Sequence, residues 1–385
     1  MDPAQRLSTL TESVIRDMTR LAIKHQAINL SQGFPDFDPP PALLEAATRA
    51  IQGGHNQYAI TWGSARLRAQ IAETYGRWYS MNINPETDVT VTCGVTEAII
   101  AALLGTVNPG EKVIIVDPSH ENYVAGVRFA GAEPVFVSMR PPLFNLDETE
   151  LQAAFAQQPK AIIFNTPHNP SGRVFSRETL QLIANLCQHY NTIAITDEIY
   201  EKILYDGRQH IPIATLPGMA ERTITTSGLT KTYAVTGWRV AWAIAPPALS
   251  QPLRTVHDFL TICAPTPLQE AAVTALTLPD DYYAEMSQAY HVRRDKMMAV
   301  LEEAGFQAVA PEGAYYVMAD YSALQPEMDE MTFARWLTTE KGVAVVPGSS
   351  FYRGDPSLSR GLVRFAFPKQ LDTLEEARRR LVAGG

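Results

Sequence analysis

Between Val89 and Ile244, short β-type runs and helix-type segments take turns, and this alternation constrains the fold more than any other feature of the sequence. The runs are Val89–Thr92, Lys112–Val116, Glu133–Val137, Ala161–Phe164, Thr192–Thr196, Thr223–Thr226 and Val240–Ala245. Helical stretches such as Glu97–Leu104 and Arg177–His189 lie between many of them. Most runs are continuously apolar, as strands are when helices cover both faces of a sheet. The pattern predicts an α/β fold: a mainly parallel, seven-stranded sheet between helices.

The flanks read differently. From about Leu10 to His25, Leu10, Val14, Ile15, Met18, Leu21 and Ala22 fall at helical spacing. The stretch from Ile28 to Pro41 is too rich in proline to be helix, and Pro41 is suited to start one that runs to about Gly53. After Leu268 a helix-favouring stretch reaches about Ala304, followed by strand candidates at Tyr315–Ala319, Val343–Val346 and Leu362–Phe367. The expected division is an N-terminal arm and part of a small domain over 1–45, a large α/β domain over 46–285, and a small α+β domain over 286–385. With 385 residues, 46% of them hydrophobic, the chain can bury a core of that size.

Several function classes drop out. A net charge of −9 repels nucleic acid and anionic membrane surfaces, so neither is expected as a partner. No run of about 18 apolar residues exists to span a bilayer, and the charged N-terminus is no secretory signal. Cys93, Cys187 and Cys263 are odd in number and widely spaced, against a disulfide framework or a zinc site; no metal is expected, and a reducing, cytoplasmic setting fits.

In open α/β sheets, ligands gather beyond the carboxyl ends of the strands. Asn169 follows the 161–164 run, within NTPHNPSG at 165–172. Asp197 ends the next run, with Tyr200 just after it. Lys231 follows the run after that, within SGLTKTY at 227–233, and Arg239 comes eight residues later. Consecutive strand ends thus offer an amide, a carboxylate, a phenol, an amine and a guanidinium. Pyridoxal 5′-phosphate asks for such a set: a lysine to bond it, a carboxylate to keep its pyridine nitrogen protonated, donors for its phenolate oxygen and a cradle for its phosphate.

In these residues and their joint spacing the chain resembles the class I/II aminotransferases of the aspartate-aminotransferase fold (fold type I), from Ile28 to the end. The runs SQGFPDF at 31–37 and NTPHNPSG look closest to methionine or kynurenine aminotransferases. The resemblance implies that Lys231 bonds the cofactor and carries protons, that Asp197 meets the pyridine nitrogen, and that Asn169 and Tyr200 meet the phenolate oxygen. It gives the phosphate to Arg239, to Val95 and Thr96 at a helix start, to Ser227, and to Tyr58 of a neighbouring subunit in a homodimer with shared active sites. It gives the substrate α-carboxylate to Arg364, and places Gly33 and Asn169 beside the substrate. Trp62, Tyr123 and Tyr315 are candidates for the side-chain pocket, with core packing an equal alternative. The implied partners are an amino acid and a 2-oxoacid, with sulfur-containing or aromatic donors favoured.

Two positions depart from the family pattern. In DPSHENY at 117–123, His120 stands where an aromatic ring usually stacks on the cofactor. An imidazole can stack, but it can also titrate near neutral pH. A lyase, a decarboxylase or an oxygen-using oxidase on the same scaffold therefore stays open beside the transaminase. Gly228 replaces a phosphate-binding serine three residues before Lys231, and Ser227 or Thr230 is expected to compensate. A regulator carrying this fold beside a DNA-binding domain is the third class, disfavoured by the retained lysine and aspartate.

Overall fold

The computed structural model describes residues 4, 7 and 12–382. Its strands are β1 (Ile28–Asn29), β2 (Val89–Thr92), β3 (Lys112–Asp117), β4 (Glu133–Arg140), β5 (Asn145–Leu146), β6 (Ala161–Asn165), β7 (Ile193–Asp197), β8 (Thr223–Gly228), β9 (Ala241–Ile244), β10 (Gln307–Ala308), β11 (Tyr316–Asp320), β12 (Val343–Ala344), β13 (Val346–Pro347) and β14 (Leu362–Ala366). The large sheet runs β2-β9-β8-β7-β6-β3-β4-β5. All seven expected strands are present; the two-residue β5 adds an antiparallel edge beside β4.

Why the runs read as continuous is visible in the core. Ile114, Val116, Ile162 and Phe164 pack into one cluster, while their neighbours Val113, Ile115, Ala161 and Ile163 pack into another. Successive side chains of a strand point to opposite faces, so a sheet buried on both sides needs apolar residues at every position.

Strand direction decides where the loops go. β8, β7, β6, β3 and β4 pair in parallel, so Gly228, Asp197, Asn165 and Asp117 all end on one edge. β9 alone among the seven runs against its neighbours, pairing antiparallel with both β8 and β2. The link from β8 to β9 therefore stays on that edge and keeps both Lys231 and Arg239 there.

A second sheet, β10-β11-β14-β13, is antiparallel, and β1 pairs in parallel with β12. The stretch expected as one strand over Val343–Val346 divides: Val343–Ala344 pairs with β1, whereas Val346 pairs with Arg364 of β14. The helical stretch before Ala304 is two helices, Thr266–Leu276 and Asp280–Glu303, with Pro279 capping the second. Proline lacks the N–H that a continuous helix would need there. The first helix spans Val14–Lys24; Leu10, its expected start, lies outside the described residues. Met18 on that helix shares one core cluster with Leu30, Tyr200, Tyr315, Tyr316 and Phe365. This shared core lays the N-terminal helix and β14 over the loop edge of the large sheet. No helix among the described residues is long and apolar enough to cross a membrane.

Candidate active site

Over that edge lies a cavity of about 540 Å³ whose lining includes Val95, Thr96, His120, Asn169, Asp197, Tyr200, Thr230, Lys231, Arg239 and Arg364. Residues spread over 270 positions of sequence meet here, most because the parallel strands end together and Arg364 because the shared core lays β14 over that edge.

Lys231 donates from Nζ to the Gly33 carbonyl at 3.0 Å. Burial lowers its pKa, with the positive charges of Arg364 and Arg239 adding to the effect against Tyr316 and Asp197, so the neutral amine is within reach. Tyr315 donates to the same carbonyl at 2.9 Å. Gly33 is glycine for a plain reason: a Cβ there would stand 1.9 Å from the Tyr316 hydroxyl.

Asp197 accepts from the Tyr123 hydroxyl at 2.7 Å and from the Ile199 N–H at 3.2 Å. Burial still raises its pKa to about 6, because those two donors and Lys231 offset the desolvation only in part. A carboxylate so placed favours a cation as its next neighbour. Tyr200 shares a hydrogen bond with Tyr316, hydroxyl to hydroxyl at 2.8 Å, and burial lifts its pKa well above that of free phenol.

Arg364 is 1% exposed. It donates to Asn169 Oδ1 at 2.8 Å and to the Ser31 carbonyl at 2.6 Å, while its Nε has no partner. Its guanidinium lies over the Tyr316 ring at 4.3 Å. No carboxylate of the described residues forms an ion pair with it, so it is a buried charge held by neutral groups alone. Burial accordingly lowers its pKa. A buried cation in that condition is costly unless something anionic completes it. Because Asn169 spends its carbonyl oxygen on Arg364, its amide NH₂ is left for another acceptor.

At the far end, Gly94 adopts φ +89° and opens the helix Val95–Thr106 with no side-chain cap. A Cβ at Gly94 would come 2.0 Å from Arg239 Nη2, so glycine lets that guanidinium lie against the helix start. Arg239 makes only long bonds, to the carbonyls of Thr236 at 3.3 Å and Cys93 at 3.5 Å. The first-turn N–H groups of Val95 and Thr96, the helix dipole and a guanidinium together make an anion site. Asn122, which no sequence motif marks as a site residue, donates to Thr96 Oγ1 at 2.8 Å and lines the same space. It sits in the DPSHENY run already singled out, two residues after His120.

At three positions the structure departs from what was expected or narrows what was left open. Ser227 does not face the cavity: its hydroxyl donates to Glu201 at 2.5 Å. Tyr75 and Tyr79 donate to the same carboxylate at 2.6 and 2.7 Å. Glu201, Glu198 and His210 form a buried cluster, with Glu198 taken by His210 at 2.6 Å and by Thr196 at 2.8 Å. Of the two proposed substitutes, Thr230 is the one that lines the cavity. Gly228 could not be serine on this backbone, since a Cβ would lie 2.8 Å from Ala241 Cα across the β8–β9 pair.

His120 is the second. It caps the helix Glu121–Phe129, accepting the Asn122 N–H at Nδ1 over 3.3 Å. Burial, with Arg364 and Lys231 nearby, pushes its pKa down to about 3. It is a neutral ring at physiological pH, not a group that titrates there. Trp62 is the third: it lies outside this cavity, under Arg254 at 5.1 Å. Tyr123 and Tyr315 take part through the bonds already given rather than as a side-chain pocket. Tyr58 is 78% exposed and stands away from the cavity of its own chain.

The residues fit pyridoxal phosphate in each demand: an amine, a carboxylate set for a cation, an unspent amide and phenol, and an anion cradle at the right edge. Fold and site together define a fold type I enzyme dependent on that cofactor. The chain belongs to the class I and II aminotransferases, whose family model it matches over residues 25–381. It is 36% identical to the kynurenine–oxoglutarate transaminase of Dictyostelium discoideum, over 97% of this chain and 94% of that one. Its fold superposes with a TM-score of 0.96 on the N-succinyldiaminopimelate aminotransferase of Mycobacterium tuberculosis, at 41% identity and 99% coverage of both chains. The Escherichia coli protein YbdL, described as having a methionine aminotransferase function, gives a TM-score of 0.94 at 35% identity, again with 99% coverage of both.

Proposed function

We propose that this aminotransferase takes the amino group of an L-amino acid and passes it to a 2-oxoacid in two half-reactions at one site, with sulfur-containing or aromatic amino acids as donors. The observation that carries the reading is Arg364: a buried guanidinium with no ion-pair partner among the described residues, in one cavity with the Lys231 amine and Asp197. The bound cofactor supplies a carbonyl carbon and an electron sink. The chain's own residues do the rest. Arg364 takes the substrate α-carboxylate and so orients its α-carbon. Lys231 Nζ, its pKa lowered by burial, takes the proton from that carbon and returns one. Asp197 would hold the cofactor's ring nitrogen and favour its protonated form, Asn169 and Tyr200 would hold its ring oxygen, and His120 would lie beside the ring. Arg239, Val95, Thr96 and Thr230 would hold its phosphate. Phe34 and Ile15 supply the apolar wall that favours an uncharged donor side chain.

The working unit in this reading is a homodimer. Tyr58, Ile60 and Phe259 are exposed, and the segment bearing the first two is tied to the helix bearing Phe259 through Thr61 and His257. Such a patch marks a contact surface, from which Tyr58 would reach the partner's phosphate site. The three free cysteines suit a reducing cytoplasm.

The test follows the cofactor's visible band after a single amino acid is added without oxoacid, in air and under nitrogen. Methionine or phenylalanine should convert the band in both atmospheres, and a 2-oxoacid should restore it. Turnover without oxoacid, or only in air, sinks the proposal.

A further inference from the structure

Phe34 stands on the wall of the cavity, in a segment that has no ladder of its own to hold it there. After the two-residue β1, positions 30–40 form neither helix nor strand. Pro35, Pro39 and Pro40 have no N–H to give to one. The ties that fix the segment come from outside it. The Gly33 carbonyl accepts from Lys231 and Tyr315. The Asp36 carboxylate accepts the Gln370 N–H at 2.5 Å and the Thr373 hydroxyl at 2.8 Å, and its carbonyl accepts Gln370 Nε2 at 3.0 Å. The Arg293 guanidinium lies 4.6 Å from the centre of the Phe37 ring.

Between these ties is Lys369, buried at 3% exposure and set behind the wall rather than on it. Its Nζ donates to the Phe34 carbonyl at 2.8 Å and stands 4.1 Å from the centre of the ring of the same residue. It has no ion pair among the described residues. The acid that acts on its charge is Asp36, whose carboxylate is taken by Gln370 and Thr373. Burial accordingly pushes its pKa down to about 8. An apolar side chain of the same length would fill this space without the cost of a buried charge. The lysine instead grips one residue at two points, main chain and ring, and removal from water strengthens the contact of a cation with a ring face. Arg293 Nε donates to the Lys369 carbonyl at 2.7 Å, so the grip is itself anchored.

We propose that Lys369 is a positioning residue for donor selection: by holding Phe34 at its carbonyl and its ring, it fixes the wall against which a large apolar side chain packs, and so sets the preference for such donors over short ones. The inference rests on the proposed transamination with apolar donors. Lys369 touches neither substrate nor cofactor in this reading. Arg364 takes the α-carboxylate of every donor alike, so discrimination falls to the surface that the side chain meets, and Phe34 is the part of that surface with the least backbone support of its own.

Binding of unreactive acids to the cofactor-loaded enzyme tests this, with 3-phenylpropionate and propionate titrated by calorimetry. The first carries a ring that reaches the wall; the second is too short. The ring should make 3-phenylpropionate the tighter ligand by about tenfold or more. Lys369→Met should cut that margin by about three- to tenfold while propionate affinity holds within about twofold. In a Phe34→Ala background the same change should move neither affinity by more than about twofold, because the residue it positions is gone. In kinetics, Lys369→Met should raise KM for phenylalanine while kcat for phenylalanine and KM for alanine hold. A margin unchanged by Lys369→Met overturns the proposal, as does an equal effect of that change with and without the Phe34 ring. A parallel loss of both acids would make Lys369 merely structural and overturn it too. Should Lys369→Met fail to fold, Thr373→Val loosens the same segment at Asp36 without touching a charge; it should narrow the margin by about twofold, and an unchanged margin there overturns the proposal. None of these affinities needs turnover, so failure to transaminate would defeat the proposed reaction and leave this inference to its own result.

Discussion

Replacing Arg364 with methionine separates what this residue does for the substrate from what it does for the fold. The side chain keeps roughly its length and loses its charge. An α-carboxylate held by two charge-assisted bonds is worth about 1.5–3 kcal/mol per bond. Losing both should cut kcat/KM for every amino acid about 10²- to 10⁴-fold. The stability terms oppose one another. Asn169 Oδ1 and the Ser31 carbonyl lose their donors, at about 1–3 kcal/mol each. Against that, the variant no longer buries an uncompensated cation whose Nε is already orphaned, a relief on the order of several kcal/mol. The net change should therefore be small, with Tm moving by no more than about 4 °C. Stopped-flow half-reactions with methionine and a calorimetric scan of the cofactor-loaded protein give both numbers. A far larger fall in Tm would mean that the fold itself balances the charge. An unchanged kcat/KM would remove Arg364 from the substrate.

Asp197→Asn should stabilise the cofactor-free protein in a pH-dependent way. The folded-state pKa of about 6 lies above the usual aspartate value, so the native state holds the extra proton and the wild type loses stability as pH rises from about 4 through about 6. The gap between the two proteins should open over that window to on the order of 1–2 kcal/mol, discounted for water in the cavity, while cofactor affinity falls in the variant; a gap that is flat with pH refutes the cause given. Ser227→Ala should leave cofactor affinity within about twofold yet cost about 1–2 kcal/mol in denaturant unfolding, because Glu201 loses a buried donor. His120→Phe should retain activity with an unchanged pH profile between 5 and 8, since the imidazole it removes does not titrate there; the disappearance of a near-neutral ionisation would restore the case for altered chemistry.

What the sequence determined by itself was whatever depends on local pattern. Seven β-type runs between helical segments, most of them continuously apolar, define a doubly covered sheet, because only such a sheet asks for apolar residues at successive positions of a strand. Asn169, Asp197, Tyr200 and Lys231 were legible for the same reason: each sits at or just beyond the end of a run, where an α/β sheet keeps its ligands, whereas Arg239 precedes the 240–245 run and only the antiparallel direction of β9 keeps it on that edge. Tertiary structure decided matters of direction and partnership. Ser227 and Thr230 are close in the chain, but Ser227 is spent on Glu201 whereas Thr230 lines the cavity. His120 was ambiguous until burial and the Asn122 N–H held it neutral. Lys369 lies 335 residues from Phe34, and no local pattern marks it. Only the core that Phe367 shares with Tyr315 and Phe37 brings its segment behind the wall of the site. Spacing along a chain encodes which residues share an element; which elements face each other is set by burying their apolar surfaces together, and that is a property of the whole fold.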